Sequence, residues 1–328
     1  MKLKAESESL VVLKDVVDAR QRISTKLIHT PLAHCHAVSE HAGRPVFLKL
    51  ENMQKTGSFK ARGALNKTLS LGNQQRRKGL VCASTGNHGL GVAYAASRAG
   101  VPCVVVLPDP PNAYKARLLE KLGARVVMYG TTSDERQEKV DELVRENDYV
   151  EIHPFADPML IAGQGTVGLE IMEDLPEVQE VYVPIGGGGL IAGIALAIKE
   201  QRPSVRVYGV QPENANAMAE ALRGHQVVTL ESIKTIADGL AAGATEELNL
   251  SLVQRYVDDV ILVSDRAILE ATLLVIERSK LWVEPSGAAS VAGLLANRRG
   301  KGRAVAVLSG GNATLQQVQQ YKSQLGMA

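Results

Sequence analysis

The sequence predicts an α/β fold of doubly wound parallel sheets, and three observations carry that expectation. Short apolar runs alternate with helical stretches, some of those runs are apolar on both faces, and glycine-bearing loops recur where a strand gives way to a helix. Val104-Val105-Val106-Leu107 shows the second feature; a strand apolar on both faces belongs in a parallel sheet covered by helices on both sides. Repeated strand–helix units of this kind wind with right-handed crossovers.

The elements follow in order. Residues 46–50 read as a strand and 59–71 as a helix, with Thr56 and Ser58 as candidate N-caps in the turn between them, because a Ser or Thr oxygen can accept from the free N–H groups of a first turn. A strand at 80–83 leads to a helix at 90–98, a strand at 101–107 to a helix at 112–122, and a strand at 124–129 to a helix at 134–146, before a strand at 149–153. His153-Pro154-Phe155-Ala156-Asp157-Pro158 carries two prolines and reads as a linker. Beyond it come a helix at 165–174, strands at 181–185 and 205–210 around a helix at 190–199, a strand at 259–263, and helices at 268–279 and 287–296. A strand at 303–308 and a helix at 315–325 complete the series.

A chain of 328 residues buries a large core and forms two domains or one large one. Apolar content of 45% with 22% charged residues is that of a soluble globular protein. Thirty-seven basic against 35 acidic residues leave a net charge of +2, which argues against a polyanion partner such as nucleic acid, and 4% aromatic content argues against a base-stacking surface. Cys35, Cys82 and Cys103 form no CxxC pair, so neither a disulfide framework nor a zinc site is expected and a cytoplasmic location fits. The N-terminus lacks the apolar core of a signal peptide, and no apolar run reaches the length of a membrane span.

The chemistry gathers in four segments. Lys55-Thr56-Gly57-Ser58-Phe59-Lys60 places Lys60 at a helix start, where the positive end of the helix dipole disfavours an ammonium; a neutral amine can form a Schiff base with a carbonyl cofactor. Ser84-Thr85-Gly86-Asn87-His88-Gly89, Gly186-Gly187-Gly188-Gly189 and Ser309-Gly310-Gly311-Asn312 each follow a strand, the edge of an open parallel sheet where ligands bind. Each glycine in an ordered segment is roughly 0.5–1 kcal/mol worse than alanine, so four in a row need a reason, and close approach of backbone N–H groups to a phosphate supplies one. A dinucleotide reading stays open: Gly187-x-Gly189-x-x-Ala192 fits a loose fingerprint, but the acidic residue expected about 20 residues on falls at Gln211, with Glu213 two residues late.

Together the four segments, in order and spacing from about residue 30 to residue 312, resemble the fold-type II pyridoxal-phosphate (PLP) enzymes, specifically the threonine/serine dehydratase and serine racemase group. The resemblance implies a tryptophan synthase β-like fold of two doubly wound parallel-sheet domains with the cofactor in the cleft. Residues 1–70 would join 158–328 in a large PLP-binding domain and 71–157 would be an inserted small domain, whereas the linker alone suggests two consecutive domains. It implies Lys60 as the Schiff-base lysine, Phe59 on one face of the pyridine ring, Asn87 on the ring's 3-oxygen, Gly186 to Gly189 on the phosphate, Ser309 at the ring nitrogen and Glu284 near the ring. Ser84, Thr85, Gly86, Asn87, His88 and Gly239 would bind the substrate, with Ser84 and Lys60 in the chemistry. A serine at the ring nitrogen makes a weaker electron sink than a carboxylate, which suits β-elimination of a β-hydroxy L-amino acid to a 2-oxo acid and ammonia. A homodimer is implied as well.

Several positions depart from the pattern. Thr85 stands where serine racemases carry the serine base, and its β-branch stiffens χ1, so elimination is expected over racemisation. Gln211 and Ala217 stand where cation-dependent relatives carry carboxylates, so no metal is expected. Ala242 replaces a hydroxyl residue and Gln137 an arginine, which points to a larger or less polar β-substituent than that of serine; the chain resembles dehydratases of hydroxyectoine utilisation and phenylserine-type dehydratases, which have a similar Ser-Thr-Gly-Asn-His-Gly loop. The chain ends soon after the Ser309 loop, so feedback by isoleucine is not expected.

Overall fold

The computed structural model describes residues 11–84, 86–111 and 113–327. Among the described residues ten strands run in chain order: β1 (Leu32–His34), β2 (Val46–Lys49), β3 (Leu80–Ala83), β4 (Cys103–Leu107), β5 (Arg125–Met128), β6 (Val150–Glu151), β7 (Glu180–Pro184), β8 (Arg206–Pro212), β9 (Asp259–Val263) and β10 (Ala304–Val307). Between and around them lie α1 (Leu13–Ile23), α2 (His36–Ala42), α3 (Lys60–Ser70), α4 (Asn73–Lys78), α5 (Asn87–Ala99), α6 (Ala113–Lys121), α7 (Ser133–Asn147) and α8 (Pro158–Asp174). The series continues with α9 (Gly189–Lys199), α10 (Ala217–Gly224), α11 (Glu247–Tyr256), α12 (Asp265–Ser279), α13 (Pro285–Ala296) and α14 (Leu315–Gln324).

The strands form two sheets. One has the order β1-β2-β10-β7-β8-β9, with β1 antiparallel to β2 and every other pair parallel; the other has the order β5-β4-β3-β6 and is parallel throughout. In the six-stranded sheet Val181, Val183, Val305 and Val307 pack with α8 and α9 residues, while Tyr182, Tyr208, Ala304 and Ala306 pack with residues of α12 and α13 on the opposite face. This alternation of side chains between two helix-covered faces is the doubly wound arrangement expected from the sequence. In the four-stranded sheet Leu80, Cys82 and Val105 face α3 and α5 residues, and Val81, Val104 and Val106 face Val140 and Leu143 of α7.

Helix α8 begins seven residues earlier than the sequence suggested, at Pro158, with the Asp157 carboxylate accepting from Leu160 N. Its glycines mark close packing. A Cβ at Gly163 would lie 2.7 Å from the Arg62 carbonyl oxygen, and one at Gly193 of α9 would lie 2.4 Å from the Ile161 carbonyl oxygen. Helix α3 therefore touches α8 backbone to backbone, and it also packs on α5 of the other sheet. Arg62, two residues into α3 from Lys60, is buried and joined to Glu51 (2.8 Å from Nε) and Glu170 (2.6 Å from Nη1), with Lys49 on Glu170 at 2.7 Å. These carboxylates hold the guanidinium pKa well above its ordinary value despite burial, so the start of α3 is fixed by charge as well as by packing.

Candidate active site

Four strand ends deliver the site. The chain leaves β2 through two short 3-10 turns, Glu51–Met53 and Lys55–Gly57, and enters α3 at Lys60. This loop is laced to the loop after β10: Ser58 forms a β-bridge with Gly310, Phe59 N donates to the Ser309 carbonyl at 3.1 Å, and Gly311 N donates to the Gly57 carbonyl at 2.9 Å. Thr56 and Ser58 do not cap α3. Phe59 is the N-cap without a side-chain cap bond, the hydroxyls of Thr56 and Ser58 are buried without partners, and Thr56 takes a left-handed φ of 68°. The two residues shape the lysine loop rather than close the helix end.

Lys60 projects into a cavity of about 990 Å³ lined by all four loops. Its Nζ donates to the Pro154 carbonyl at 2.6 Å and lies 5.3 Å from the centre of the Phe59 ring. Burial pushes its pKa from 10.5 down to about 8; loss of water around the ammonium is the cause, where the sequence had suggested the helix dipole. Two histidines beside it stay neutral. Burial first, and then the Lys60 charge, hold His88 at about 3 and move His153 downward. His88 Nε2 donates to the Ile152 carbonyl at 2.7 Å, leaving Nδ1 buried without a partner, and His153 Nδ1 accepts from Phe155 N and Ala156 N. The ring of His88 thus braces the chain that carries the Pro154 carbonyl.

Asn87 opens α5 behind Gly86. Its Nδ2 donates to Glu284 Oε1 at 2.6 Å, and its Oδ1 accepts from Asn312 Nδ2 at 2.7 Å. Glu284 is the N-cap of α13, and burial raises its pKa above the ordinary carboxylate value against the hydrogen bonds from Asn87 and Asn312. Ser309 is buried, with Oγ 3.5 Å from the Ser286 carbonyl, and Gly239 N donates to Ser286 Oγ at 2.8 Å. Ser84 Oγ accepts from Gly86 N at 3.2 Å, closing the asparagine loop on itself. Thr85 lies outside the described residues.

Gly186 to Gly189 end at the N-terminus of α9, whose first N–H groups have no acceptor within the helix. Gly188 has a φ of 90°, which a side chain would strain. A Cβ at Gly187 would meet the Phe155 ring at 2.3 Å, and one at Gly189 would meet the Phe155 carbonyl oxygen at 2.6 Å. Asn249 Nδ2 clamps both sides, donating to the Gly187 carbonyl at 2.8 Å and to the Phe155 carbonyl at 3.2 Å. Only glycine fits where Phe155 and Met218 come this close to the loop.

Phe59, Lys60, Ser84, Gly86, Asn87, His88, Gly186 to Gly189, Gly239, Glu284 and Ser309 all border the one cavity. Ala242 and Gln137 are not on its wall. The Gln137 amide donates to Glu151 at 2.9 Å and Asp141 at 3.1 Å. Gln211 is buried and its Oε1 accepts from Ala219 N of α10 at 3.0 Å, a structural role. Asn312, Phe155, Asn249 and Gln164 were missed as site residues. Asn312 stood in the quoted Ser-Gly-Gly-Asn loop and Phe155 in the segment 153–158 read as a linker, while Asn249 and Gln164 had no motif around them.

The sequence profile of the family described as "Pyridoxal-phosphate dependent enzyme" matches residues 23–310. The chain belongs to that family. It is 43% identical over 304 residues to an L-threonine ammonia-lyase of Thermotoga maritima, covering 92% of this chain and 76% of that one. Among solved structures it resembles maize serine racemase, with a TM-score of 0.91 at 35% identity over 96% and 98% of the two chains. It also resembles a T.th. threonine deaminase, with a TM-score of 0.88 at 40% identity over 93% and 99%. PLP is the cofactor, and the residues present fit it: a buried amine of lowered pKa faces a glycine-walled cradle at a helix N-terminus inside one cavity. Among the described residues no helix is long and apolar enough to cross a membrane.

Proposed function

We propose that this enzyme is an ammonia-lyase of the dehydratase type, acting on a β-hydroxy L-amino acid such as threonine and releasing a 2-oxo acid and ammonia. The observation that carries the reading is Lys60: an amine with a pKa of about 8, held by one carbonyl and facing the asparagine, glycine and serine loops. A deaminase and an ammonia-lyase of threonine among the similar proteins support the substrate class. When bound, PLP supplies the electron sink that labilises the substrate α-proton.

In this reading Lys60 anchors the cofactor and, once released, its neutral amine takes the α-proton; an amine near pKa 8 is suited to proton transfer near neutral pH. Asn87 Nδ2 would donate to the ring 3-oxygen, Phe59 would cover one ring face, and Ser309 Oγ would meet the ring nitrogen. Gly186 to Gly189 and the N-terminus of α9 would bind the phosphate. Ser84, Thr85 and the backbone of Gly86, Asn87 and His88 hold the substrate carboxylate, and Gly239 and Glu284 close the far wall. Residues 1–70 and 158–328 form the large domain around the six-stranded sheet and 71–157 the inserted one. A homodimer in the cytoplasm carries over from the resemblance.

The test has two arms. Borohydride reduction and peptide mapping should place the pyridoxyl group on Lys60. A comparison of L-threonine, L-serine, phenylserine and a hydroxyectoine-derived amino acid should show 2-oxo acid release, without the D-isomer in recovered substrate. Rapid formation of D-serine without 2-oxo acid would move the enzyme to the racemase alternative, and a label on another lysine would sink the assignment of Lys60.

A further inference from the structure

Three loops meet at Asn312. Its Nδ2 donates to the Thr56 carbonyl at 2.7 Å and to Asn87 Oδ1 at 2.7 Å, and its backbone N–H donates to Glu284 Oε2 at 3.1 Å. Both amide hydrogens of Asn312 are therefore used. A primary amide has nearly the same shape after a flip, so its orientation is set by the polarity of its partners. The Thr56 carbonyl can only accept, which fixes Nδ2 of Asn312 on that side. The second hydrogen then points at Asn87 and requires an acceptor there. Oδ1 of Asn87 fills that place, and Nδ2 of Asn87 is left facing Glu284 and the cavity.

Glu284 does not enforce this polarity by itself. Burial favours its protonated form, and a protonated carboxyl can donate to an amide oxygen as readily as a carboxylate can accept from an amide nitrogen. We propose that Asn312 is a positioning residue that fixes the polarity of the Asn87 amide, so that a donor and not an acceptor meets the 3-oxygen of PLP. The proposal rests on the reading of Asn87 as the partner of that oxygen. A flipped Asn87 would set lone pairs against the 3-oxygen and remove a hydrogen bond that favours its anionic form.

The test compares purified holoenzymes. Asn312→Asp replaces both hydrogens by lone pairs, so the Asn87 amide gains by turning its Nδ2 toward residue 312. PLP affinity, measured by fluorescence titration after resolution of the enzyme, should fall roughly tenfold or more. The ratio of visible to near-ultraviolet absorption of the bound cofactor should shift as well. Both effects should largely vanish when Asn312→Asp is made in an Asn87→Ala background, because residues acting through one another are not additive. If Asn312→Asp does not fold, Asn312→Ala is read in the same cycle, with the same direction expected. Unchanged affinity and spectrum, or an effect undiminished in the Asn87→Ala background, overturn the relay while a Lys60 pyridoxyl label leaves the functional reading standing. Failure to label Lys60 in the unsubstituted enzyme overturns both.

Discussion

Replacing Lys60 by methionine should stabilise the cofactor-free protein at neutral pH while abolishing activity. The folded protein holds the Lys60 amine at about 8, against 10.5 for an exposed lysine. At 1.36 kcal/mol per unit, keeping the ammonium in that cavity costs at most about 3 kcal/mol below pH 8. Methionine fills similar space without a charge, but strands the Pro154 carbonyl that Nζ now satisfies at 2.6 Å, a loss of about 1 kcal/mol. A net gain of about 2 kcal/mol remains. For 328 residues, at about 2.1 cal/mol/K each, this raises Tm by roughly 3 °C. The pH dependence is diagnostic. Because the folded-state pKa lies below the unfolded one, the folded protein binds fewer protons between pH 8 and 10.5, so the penalty is full below pH 8 and gone by pH 10.5. Calorimetry of the two cofactor-free proteins across pH 6.5 to about 10.5 should show the Tm difference shrinking and then reversing slightly as the orphaned carbonyl dominates. A difference constant with pH, or one growing toward high pH, would refute the claim that burial holds this amine near neutrality.

Two further outcomes test the frame around the amine. Gly189→Ala would put a Cβ 2.6 Å from the Phe155 carbonyl oxygen and 3.2 Å from its Cα, backbone that a rotamer change cannot move; PLP affinity by fluorescence titration should drop about tenfold or more. Gly224→Ala, whose nearest contact would be an ordinary 3.7 Å, serves as the control that leaves affinity unchanged. Arg62→Met removes the cation shared by Glu51 and Glu170, leaving buried Glu51 without a cation and Glu170 with Lys49 alone, at about 3–5 kcal/mol; a Tm drop of roughly 4–7 °C by calorimetry is expected.

The fold was legible wherever one local signal sufficed. The strands at 80–83 and 259–263 were read to the residue, because short apolar, β-branched runs between turn residues have few other uses. Helix α1 was not read, although Val16, Ala19 and Ile23 lie at helical spacing on its buried face. Helix α8 was read short because Pro158 closes a segment that reads as linker, whereas it is a first-turn residue behind the Asp157 cap; Gly163, Gly165 and Gly168 let α3 and α9 approach the helix backbone. The capping expectation at Thr56 and Ser58 failed for a related reason: the loop is tied across to Ser309, Gly310 and Gly311, more than 200 positions away, and those bonds override the local preference.

The candidate site divides along the same line. Lys60, Asn87, the four glycines and Ser309 were legible because each sits in a short segment whose composition is costly without a ligand. Asn312 and Phe155 were not, because their roles exist only between loops: the bond from Asn312 to Asn87 joins residues 225 apart, and the contact of Phe155 with Gly187 and Gly189 closes one strand end on another. Ala242 and Gln137 show the converse case. Both were chosen by matching positions to a pattern, and neither reaches the cavity wall. A residue that defines the chemistry can be read from its neighbours in sequence. A residue that sets the polarity or reach of another has to be found from the hydrogen bonds it completes, and in this enzyme Asn312 completes three of them, to Thr56 in the lysine loop, to Asn87 at the start of α5 and to Glu284 at the start of α13.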